Sequence, residues 1–543
     1  MINYVGIDLG TTFSSISVLK KGSKEPKTLE LEGPGKKTMP SVVYYGGSEP
    51  IVGTLAKKYL YTQPDCTVEL AKSYLGSDKK WVIKGKEVTP VDVSADILKR
   101  LMHFYHLQYN EDYECVITCP ANYKQDKKRL LKDAAEKAGI KVKCLLNEPT
   151  AAALTYFCDN EESIGKTLVI FDLGGGTFDV TVATSLSNEN GIPQYYVRST
   201  SGAEHLGGAD WDHRVYQMIL RQCSDKTGLS QYTLQSNPKD NAGMKKKSEN
   251  YKILLSNGDL EDDITIFGDG GRTVDISIPV SEFESFTSDL LDKVLKKFDE
   301  ALESAYMDKR PDLPPVTKES IYKIVMVGGS CRMPQVIDGI IRRYPIFKGK
   351  VILREPEESI CKGASIYCSR VEDGNDYSFR DKLSNTIGIG CFVDEKNLNQ
   401  ERLKLGYYSQ KVPGRGYLMC SNLLYKGTIT PYKTQKEYIL NTGKKGKFEL
   451  TIFQNDVDSD SGEEYTDPKK CVTIYKDEIV LKNSKDQSKV ILIMSFEVSG
   501  DIAVEIIDED GNNTVLPIRG NYKLSDSKII DQMIGGIIDL SMI

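Results

Sequence analysis

Two glycine-rich turns, each fused to an aspartate, constrain this chain more than anything else in it. The first runs Gly6-Ile7-Asp8-Leu9-Gly10-Thr11-Thr12; the second is FDLGGGTFD, Phe171 to Asp179. In each, an apolar run enters Asp-Leu-Gly and a β-rich run leaves it: Tyr4 to Asp8 then Ser14 to Leu19, and Leu168 to Asp172 then Phe178 to Ala183. That pattern predicts a hairpin whose glycines let backbone N–H groups approach a ligand closely. Successive exposed N–H groups at a turn make an anion nest. An Asp just ahead of the nest suits a Mg²⁺ riding on phosphates, because this ion takes carboxylate oxygens and water. Two such hairpins facing each other would clamp a nucleoside triphosphate. One turn alone is a weak signal, since most Gly-rich hairpins are structural. The doubled pattern, with Asp in the same place, points to a duplicated domain.

At 543 residues the chain has room for roughly three or four domains of ~150 residues. It is 40% hydrophobic and 27% charged, ordinary for a protein that buries large cores. A net charge of −6 argues against nucleic acid as a partner, and Lys245-Lys246-Lys247 and Lys444-Lys445 read as solvated surface. Met1 leads quickly into the first strand, so no signal or transit peptide is expected. No apolar stretch approaches the ~20 residues of a membrane span. A cytoplasmic location without membrane association is the expectation. Twelve scattered cysteines read as buried reduced thiols, and four scattered histidines (His103, His106, His205, His213) argue against zinc.

From residue 1 to about 370, strands and helical stretches alternate, an α/β pattern. Asp126 to Ala138 reads as an amphipathic helix, Val142 to Leu146 as a strand, Phe286 to Ser304 as a long helix, and Ile324 to Val327 as a buried strand. Residues 371–385 are polar and read as a linker. Residues 386–519 read as almost pure β, with strands at Phe448 to Gln454, Val490 to Val498 and Ile502 to Asp508 before an Asp510-Gly511 turn. Residues 520–543 predict one helix after a Ser525 cap. Three local patterns fail. Gly165-Lys166-Thr167 lacks the first glycine of a P-loop, with Asn160 in its place. Asp456 to Asp460 has its glycine displaced to Gly462, unlike a calcium loop. Asn512-Asn513-Thr514 is a glycosylation sequon that matters only under secretion.

The chain resembles the seventy-kilodalton heat-shock protein family, the DnaK-type chaperones of the actin and sugar-kinase ATPase superfamily. Six motifs carry the resemblance in order: IDLGTT at Ile7, VITCPANY at Val116, NEPTAAA at Asn147, FDLGGGTFD at Phe171, HLGGADWD at His205 and VGGSCRMP at Val327. The β region matches more loosely, through TIGIG at Thr386 and LLYKGTITP at Leu423. The resemblance implies an α/β actin-like ATPase domain of duplicated ribonuclease-H-like subdomains over 1–370, a linker, a β-sandwich peptide-binding domain over 386–519, and a short helical stub.

It also implies roles. Asp8 and Asp172 would hold Mg²⁺ largely through water. Gly10, Thr11, Thr12 and the Gly174-Gly175-Gly176 turn would cradle phosphates, with Gly207 and Gly208 beside them. Lys72, in Glu69-Leu70-Ala71-Lys72, matches the catalytic lysine; Glu148 and Asp179 would orient the attacking water, and Thr177 would contact the γ-phosphate. Phosphoryl transfer to water needs positioning and charge neutralisation more than covalent help. Adenosine would fall to Glu249, Lys252 and Ser256 on one helix face. Gly328, Gly329, Ser330, Arg332 and Glu357 would close that pocket, the guanidinium stacking on the base. The cofactors implied are ATP or ADP with Mg²⁺, with K⁺ a further option.

The same resemblance makes Pro120 and Lys128 an interdomain relay, and Ile387, Ile389, Tyr438, Phe448 and Leu450 a peptide groove. Phe448 falls where the family uses a smaller aliphatic, so either the pocket is shallower or Phe448 fills the core of the sandwich. The linker carries Tyr377-Ser378-Phe379-Arg380 in place of a run of aliphatics, and the helical lid is reduced to a stub. Extended polypeptides, a J-domain co-chaperone and a nucleotide-exchange factor are the expected partners. The leading reading is an ATP-hydrolysing chaperone. The alternative is a non-cycling, ATP-binding co-chaperone or exchange-type scaffold; a sugar kinase of the shared ATPase fold is remote.

Overall fold

A computed structural model describes residues 2–187, 193–353, 356–371, 379–383, 385–393, 395–398, 400, 403, 411–412, 416–426, 428–430, 432–441, 447–455, 457, 464–480, 487–496, 502–517 and 536–539. The chain divides into two compact units, one formed mainly by residues up to Phe379 and one by Arg380 onward. Among the described residues no helix is long and apolar enough to cross a membrane.

The first unit repeats one topology. Strands β1 (Asn3–Asp8) and β2 (Phe13–Lys20) form an antiparallel hairpin. Strand β3 (Tyr113–Cys119) joins β1 in parallel, and β4 (Val142–Asn147) joins β3 in parallel. The second sheet does the same. Strands β5 (Thr167–Leu173) and β6 (Phe178–Ser187) are the hairpin, β7 (Pro193–Ala203) extends it antiparallel, and β8 (Ile321–Val327) and β9 (Val351–Leu353) continue in parallel from β5. The duplicated Asp-Leu-Gly turns therefore sit at the same place in two equivalent sheets. In the first, Asp8 pairs with Ser15; in the second, Asp172 pairs with Asp179.

Local chemistry sets the helices. Helix α1 (Thr54–Tyr59) is short, whereas α2 (Pro90–Gln108) starts with a capping box, Thr89 and Asp92 exchanging hydrogen bonds, and Pro90 at its first turn. Helix α3 spans Gln125–Lys137, within a residue of the expected bounds. Helix α4 (Glu148–Asp159) is the NEPTAAA segment, and its alanines let α8 (Ser359–Val371) press against it: a Cβ at Gly363 would overlap the Ala151 carbonyl. A Cβ at Gly6 would likewise overlap the Cys361 carbonyl, so α8 also lies tight on β1. Helix α5 (Gly208–Thr227) ends on Gly228 in the left-handed conformation, and α6 (Pro238–Leu255) is capped by Asn237. Helix α7 (Ser288–Met307) covers the second sheet with Phe298 and Leu302 in its core.

The second unit is β-rich. One ladder runs β10 (Thr386–Val393), flanked by β11 (Gly416–Leu424) and β13 (Lys447–Asn455), with β14 (Tyr465–Thr466) on β11 and β15 (Val472–Val480) on β13. A meander of β12 (Tyr432–Asn441), β16 (Gln487–Phe496), β17 (Ile502–Asp508) and β18 (Asn513–Pro517) forms the other. Alternate residues of both, among them Ile389, Leu440, Leu492 and Val504, share one buried core. Gly511 takes the expected turn at φ +79°.

Two expectations meet the structure unevenly here. Phe379–Lys382, at the end of the expected linker, is a strand paired with Ile429–Thr430, while residues 372–378, including Tyr377 and Ser378, lie outside the described residues. Gly536–Asp539, inside the segment expected to be helical, is strand β19, pairing antiparallel with β12 from Asn441↔Gly536 to Tyr438↔Asp539. These four residues are extended because unpaired N–H and C=O groups along β12 are there to be satisfied. The Ser525 cap lies outside the described residues.

Candidate functional site

The two turns meet. A Cβ at Gly175 would overlap the Thr12 hydroxyl, and one at Gly176 would lie 2.6 Å from Thr11 Cγ2 and 3.3 Å from Ser73 Oγ. Glycine at these positions is thus what allows the hairpins to approach. The start of α5 closes the third side: Gly208 N–H donates to Gly174 O at 2.9 Å and Ala209 N–H to Gly175 O at 2.8 Å. A Cβ at Gly207 would lie 2.5 Å from Gly176 N. Ser330 Oγ donates to Gly174 O at 2.9 Å. Gly328 (φ +82°) packs so tightly that a Cβ would lie 2.9 Å from Asp172 Oδ1, whereas Gly329 faces open space.

Lys72 stands on a 3₁₀ turn, Ala71–Tyr74, that starts from Leu70 at φ +56°. A non-glycine residue there stores strain, on the order of 1–3 kcal/mol, of the kind found at functional sites. Its ammonium donates to Glu148 Oε1 at 2.5 Å, with both side chains buried. Glu148 is the first residue of α4, where the helix dipole favours a carboxylate. Asp8 accepts from Thr118 Oγ1 at 3.1 Å. Burial, with Glu148 adding to it, pushes Asp8 up to about 7 even though Lys72 and Thr118 pull the other way. Burial and then Glu148 push Asp179 up to about 8. Asp172 rises well above the usual carboxylate range, from burial and then from Glu148, Asp179 and Asp8. Three buried carboxylates, Glu148, Asp172 and Asp179, and the half-buried Asp8 thus gather around one lysine.

Of the remaining expected positions, Lys252 reaches the turns directly. Lys252 Nζ donates to Gly208 O at 3.1 Å and pairs with Asp212 at 2.8 Å; Glu249 pairs with Lys57 of α1 at 2.5 Å; Ser256 Oγ donates to its own helix at Lys252 O. Arg332 and Glu357 lie 3.5 Å apart, both half exposed. Thr177 O accepts from Gly174 N–H, closing the second turn. Pro120 ends β3 and is buried; Lys128 lies on α3. The five expected groove residues go elsewhere. Ile387, Ile389, Tyr438, Phe448 and Leu450 are each at most 1% exposed and belong to the core of the β unit. The Tyr438 hydroxyl is satisfied inside that core by Ser421 Oγ at 3.0 Å.

Sequence reasoning missed four contributors. Thr118 and Asp212 lie inside motifs already singled out, so their positions carried a signal. Lys57 and Glu204, whose charge acts on Asp179, carried none.

A family model described as Hsp70 protein matches residues 4–84 and 77–402. The chain belongs to the Hsp70 family. It is similar to the chaperone protein DnaK of Mycoplasmopsis synoviae (strain 53), 34% identical over 367 residues, 67% of this chain and 57% of that protein. The match therefore spans little more than half the length of that relative. The matched Hsp70 residues include both turns, Lys72, Glu148 and the α5 and α6 contributors to the cleft.

Family membership implies a nucleotide with Mg²⁺, while among the described residues no group of three or more His, Cys, Asp or Glu side chains is placed to hold a metal ion. The residue types suit that group: glycines bring the two turns so close that a Cβ would overlap a neighbour, and the carboxylates beside them are of the oxygen-donor type that Mg²⁺ prefers. Asp179 Oδ1, buried, has no hydrogen-bond partner among the described residues, as expected for an atom whose partner is a ligand or water.

Proposed function

We propose that this Hsp70-family chain is a Mg²⁺-dependent ATPase that works as a molecular chaperone, coupling hydrolysis to binding and release of extended polypeptide segments. The two repeated sheets are read as the ribonuclease-H-like subdomains of an actin-like ATPase. The observation that carries the reading is the meeting of the two Asp-Leu-Gly turns beside the buried Lys72–Glu148 pair. The Lys72 ammonium neutralises charge developing on the transferred phosphoryl group. Glu148 and Asp179 accept hydrogen bonds from the attacking water and hold it in line. The turn N–H groups and Thr177 fix the phosphates, and Arg332 covers the base. Held by Asp8 and Asp172 through water, Mg²⁺ would supply the remaining positive charge among these carboxylates.

The chaperone half rests on family membership and on the relative's name, chaperone protein DnaK. A J-domain co-chaperone and a nucleotide-exchange factor are its proposed partners. The test is steady-state ATP hydrolysis with Mg²⁺, with and without an unfolded peptide, against Lys72→Ala. Turnover accelerated by peptide supports both halves. Turnover indifferent to peptide removes the coupling. Turnover no higher than the variant's removes the ATPase reading and leaves a nucleotide-binding scaffold.

A further inference from the structure

Inside the β unit a small polar pocket interrupts the apolar packing. Asn455, at the end of β13, donates from Nδ2 to Asn422 Oδ1 at 2.9 Å, and Asn422 Nδ2 donates to Thr466 Oγ1 at 3.0 Å. Two thiols complete it. Asn455 Nδ2 lies 3.8 Å from both Cys420 Sγ and Cys471 Sγ, and Cys420 Sγ lies 3.6 Å from Asn422 Oδ1. Both thiols thus face the same amide nitrogen. Cys420 is fully buried, whereas Cys471 is partly exposed.

The chain builds this encounter deliberately. Cys420 is cross-strand from Thr466 in the β11–β14 ladder. A turn, Pro468–Lys470, capped by the Asp467 side chain on Lys469 N–H, then brings the chain back. Cys471 N–H donates to Pro468 O at 3.0 Å and its Sγ to Asp467 O at 3.5 Å, which fixes the residue beside the Asn455 amide that Cys420 also approaches. Cys115, Cys144 and Cys368 also neighbour one another, but all three are buried and beyond an oxidant's reach.

We propose that Cys420 and Cys471 are a thiol-modification site that closes to a reversible disulfide on reaction with a small disulfide of the glutathione class. Cys471, the accessible thiol, loses its proton to solvent; its thiolate attacks one sulfur of the oxidant, forming a mixed disulfide and expelling one thiolate, which takes up a proton. Cys420 then gives up its proton, and its sulfur attacks Cys471 Sγ, expelling the second small thiol. Two protein thiols are oxidised by two electrons in all, and one small disulfide is reduced to two thiols. Excess small thiol runs the sequence backwards. Burial, with Cys471 adding to it, holds the Cys420 thiol well above its usual range, so Cys420 reacts with the Cys471 sulfur activated across the shared Asn455 amide and not with free oxidant. The Asn455 amide acts in the opposite sense, stabilising the thiolate as it forms. The bond would tie β11 to the start of β15 and restrict the unfolded chain.

The test exposes the native full-length protein to glutathione disulfide, traps remaining thiols by alkylation and maps the peptides without reduction. The expected result is a Cys420–Cys471 cross-link, loss of two of the twelve free thiols, and their recovery in excess reduced glutathione. The melting temperature should rise on oxidation in the parent chain and stay unchanged in Cys471→Ser. Cys420→Ser should stop at a glutathione adduct on Cys471. A parent chain carrying that adduct without the cross-link, a cross-link of either thiol to any other cysteine, or both thiols still free would each overturn the proposal. The parent chain's peptide map decides the matter even where a variant fails to fold.

Discussion

Around Lys72 side-chain volume has been taken away, and around Phe448 it has been added. In the cleft, Gly175, Gly176, Gly207 and Gly208 stand where any Cβ would meet a neighbour, and the polar groups that remain are mostly carboxylates crowded on one cation. In the β unit, Tyr438, Phe448 and Leu450 fill the interior to 1% exposure or less, and its buried tyrosine hydroxyl finds a partner within. A closed core gains from every atom it buries. A ligand site gives up that gain, and accepts buried like charges, to keep room for something else. The two regions should therefore respond in opposite ways to removing and to adding atoms.

Removing atoms should matter most in the β unit. Phe448→Ala should cost about 3–5 kcal/mol of stability, as for other buried Phe truncations, read by chemical denaturation of the β unit, with basal ATP turnover unchanged. A small stability loss with altered peptide affinity would break the comparison and return Phe448 to a groove. In the cleft the largest loss should be catalytic. Glu148→Gln keeps the shape but removes the charge facing Lys72, and single-turnover hydrolysis should fall about 10²-fold or more, the usual worth of a positioned acid–base group.

Adding atoms should matter most in the cleft. Gly175→Ala places its methyl group on the Thr12 hydroxyl. Overpacking of this kind costs about 1–3 kcal/mol, so nucleotide affinity by calorimetry should drop roughly tenfold to a hundredfold at 1.4 kcal/mol per decade. Gly243→Ala, whose Cβ would meet nothing closer than 4.0 Å and which lies outside the proposed site, is the matched control and should bind normally. Equal losses in the two variants would mean that the turns do not meet as described.

What the sequence could disclose follows the same divide. The paired Asp-Leu-Gly turns are local patterns, and local patterns carry their own backbone demands, so both hairpins and the carboxylate that opens each were readable. Strand Ile502–Asp508 has the bounds that its alternation predicts. Period two also places Ile387 and Ile389 on one face, but not what covers that face; the opposing meander decides this, and it turns the expected groove into core. Lys57 and Glu249 are 192 residues apart, and nothing local to either announces the pair. The strand at Gly536–Asp539 was missed for a related reason: its conformation comes from the free edge of β12, not from its own glycines.

The smallest effect tests the electrostatic side of the comparison. Asp179 and Asp8 bind protons more tightly in the folded chain, at about 8 and about 7, than their reference value of 3.8. Such groups contribute stability that is full below pH ~4 and is lost as pH rises through the folded values. Without nucleotide, the melting temperature should therefore decline between about pH 4 and about pH 8 and level off above. Asp179→Asn has the same shape and cannot ionise, so it should flatten that decline by a difference on the order of 1 kcal/mol. Groups elsewhere titrate alike in both proteins, which makes the difference in slope the informative quantity. A parallel decline would show that Asp179 ionises freely, and that the cleft is open to water in a way the crowded carboxylates argue against.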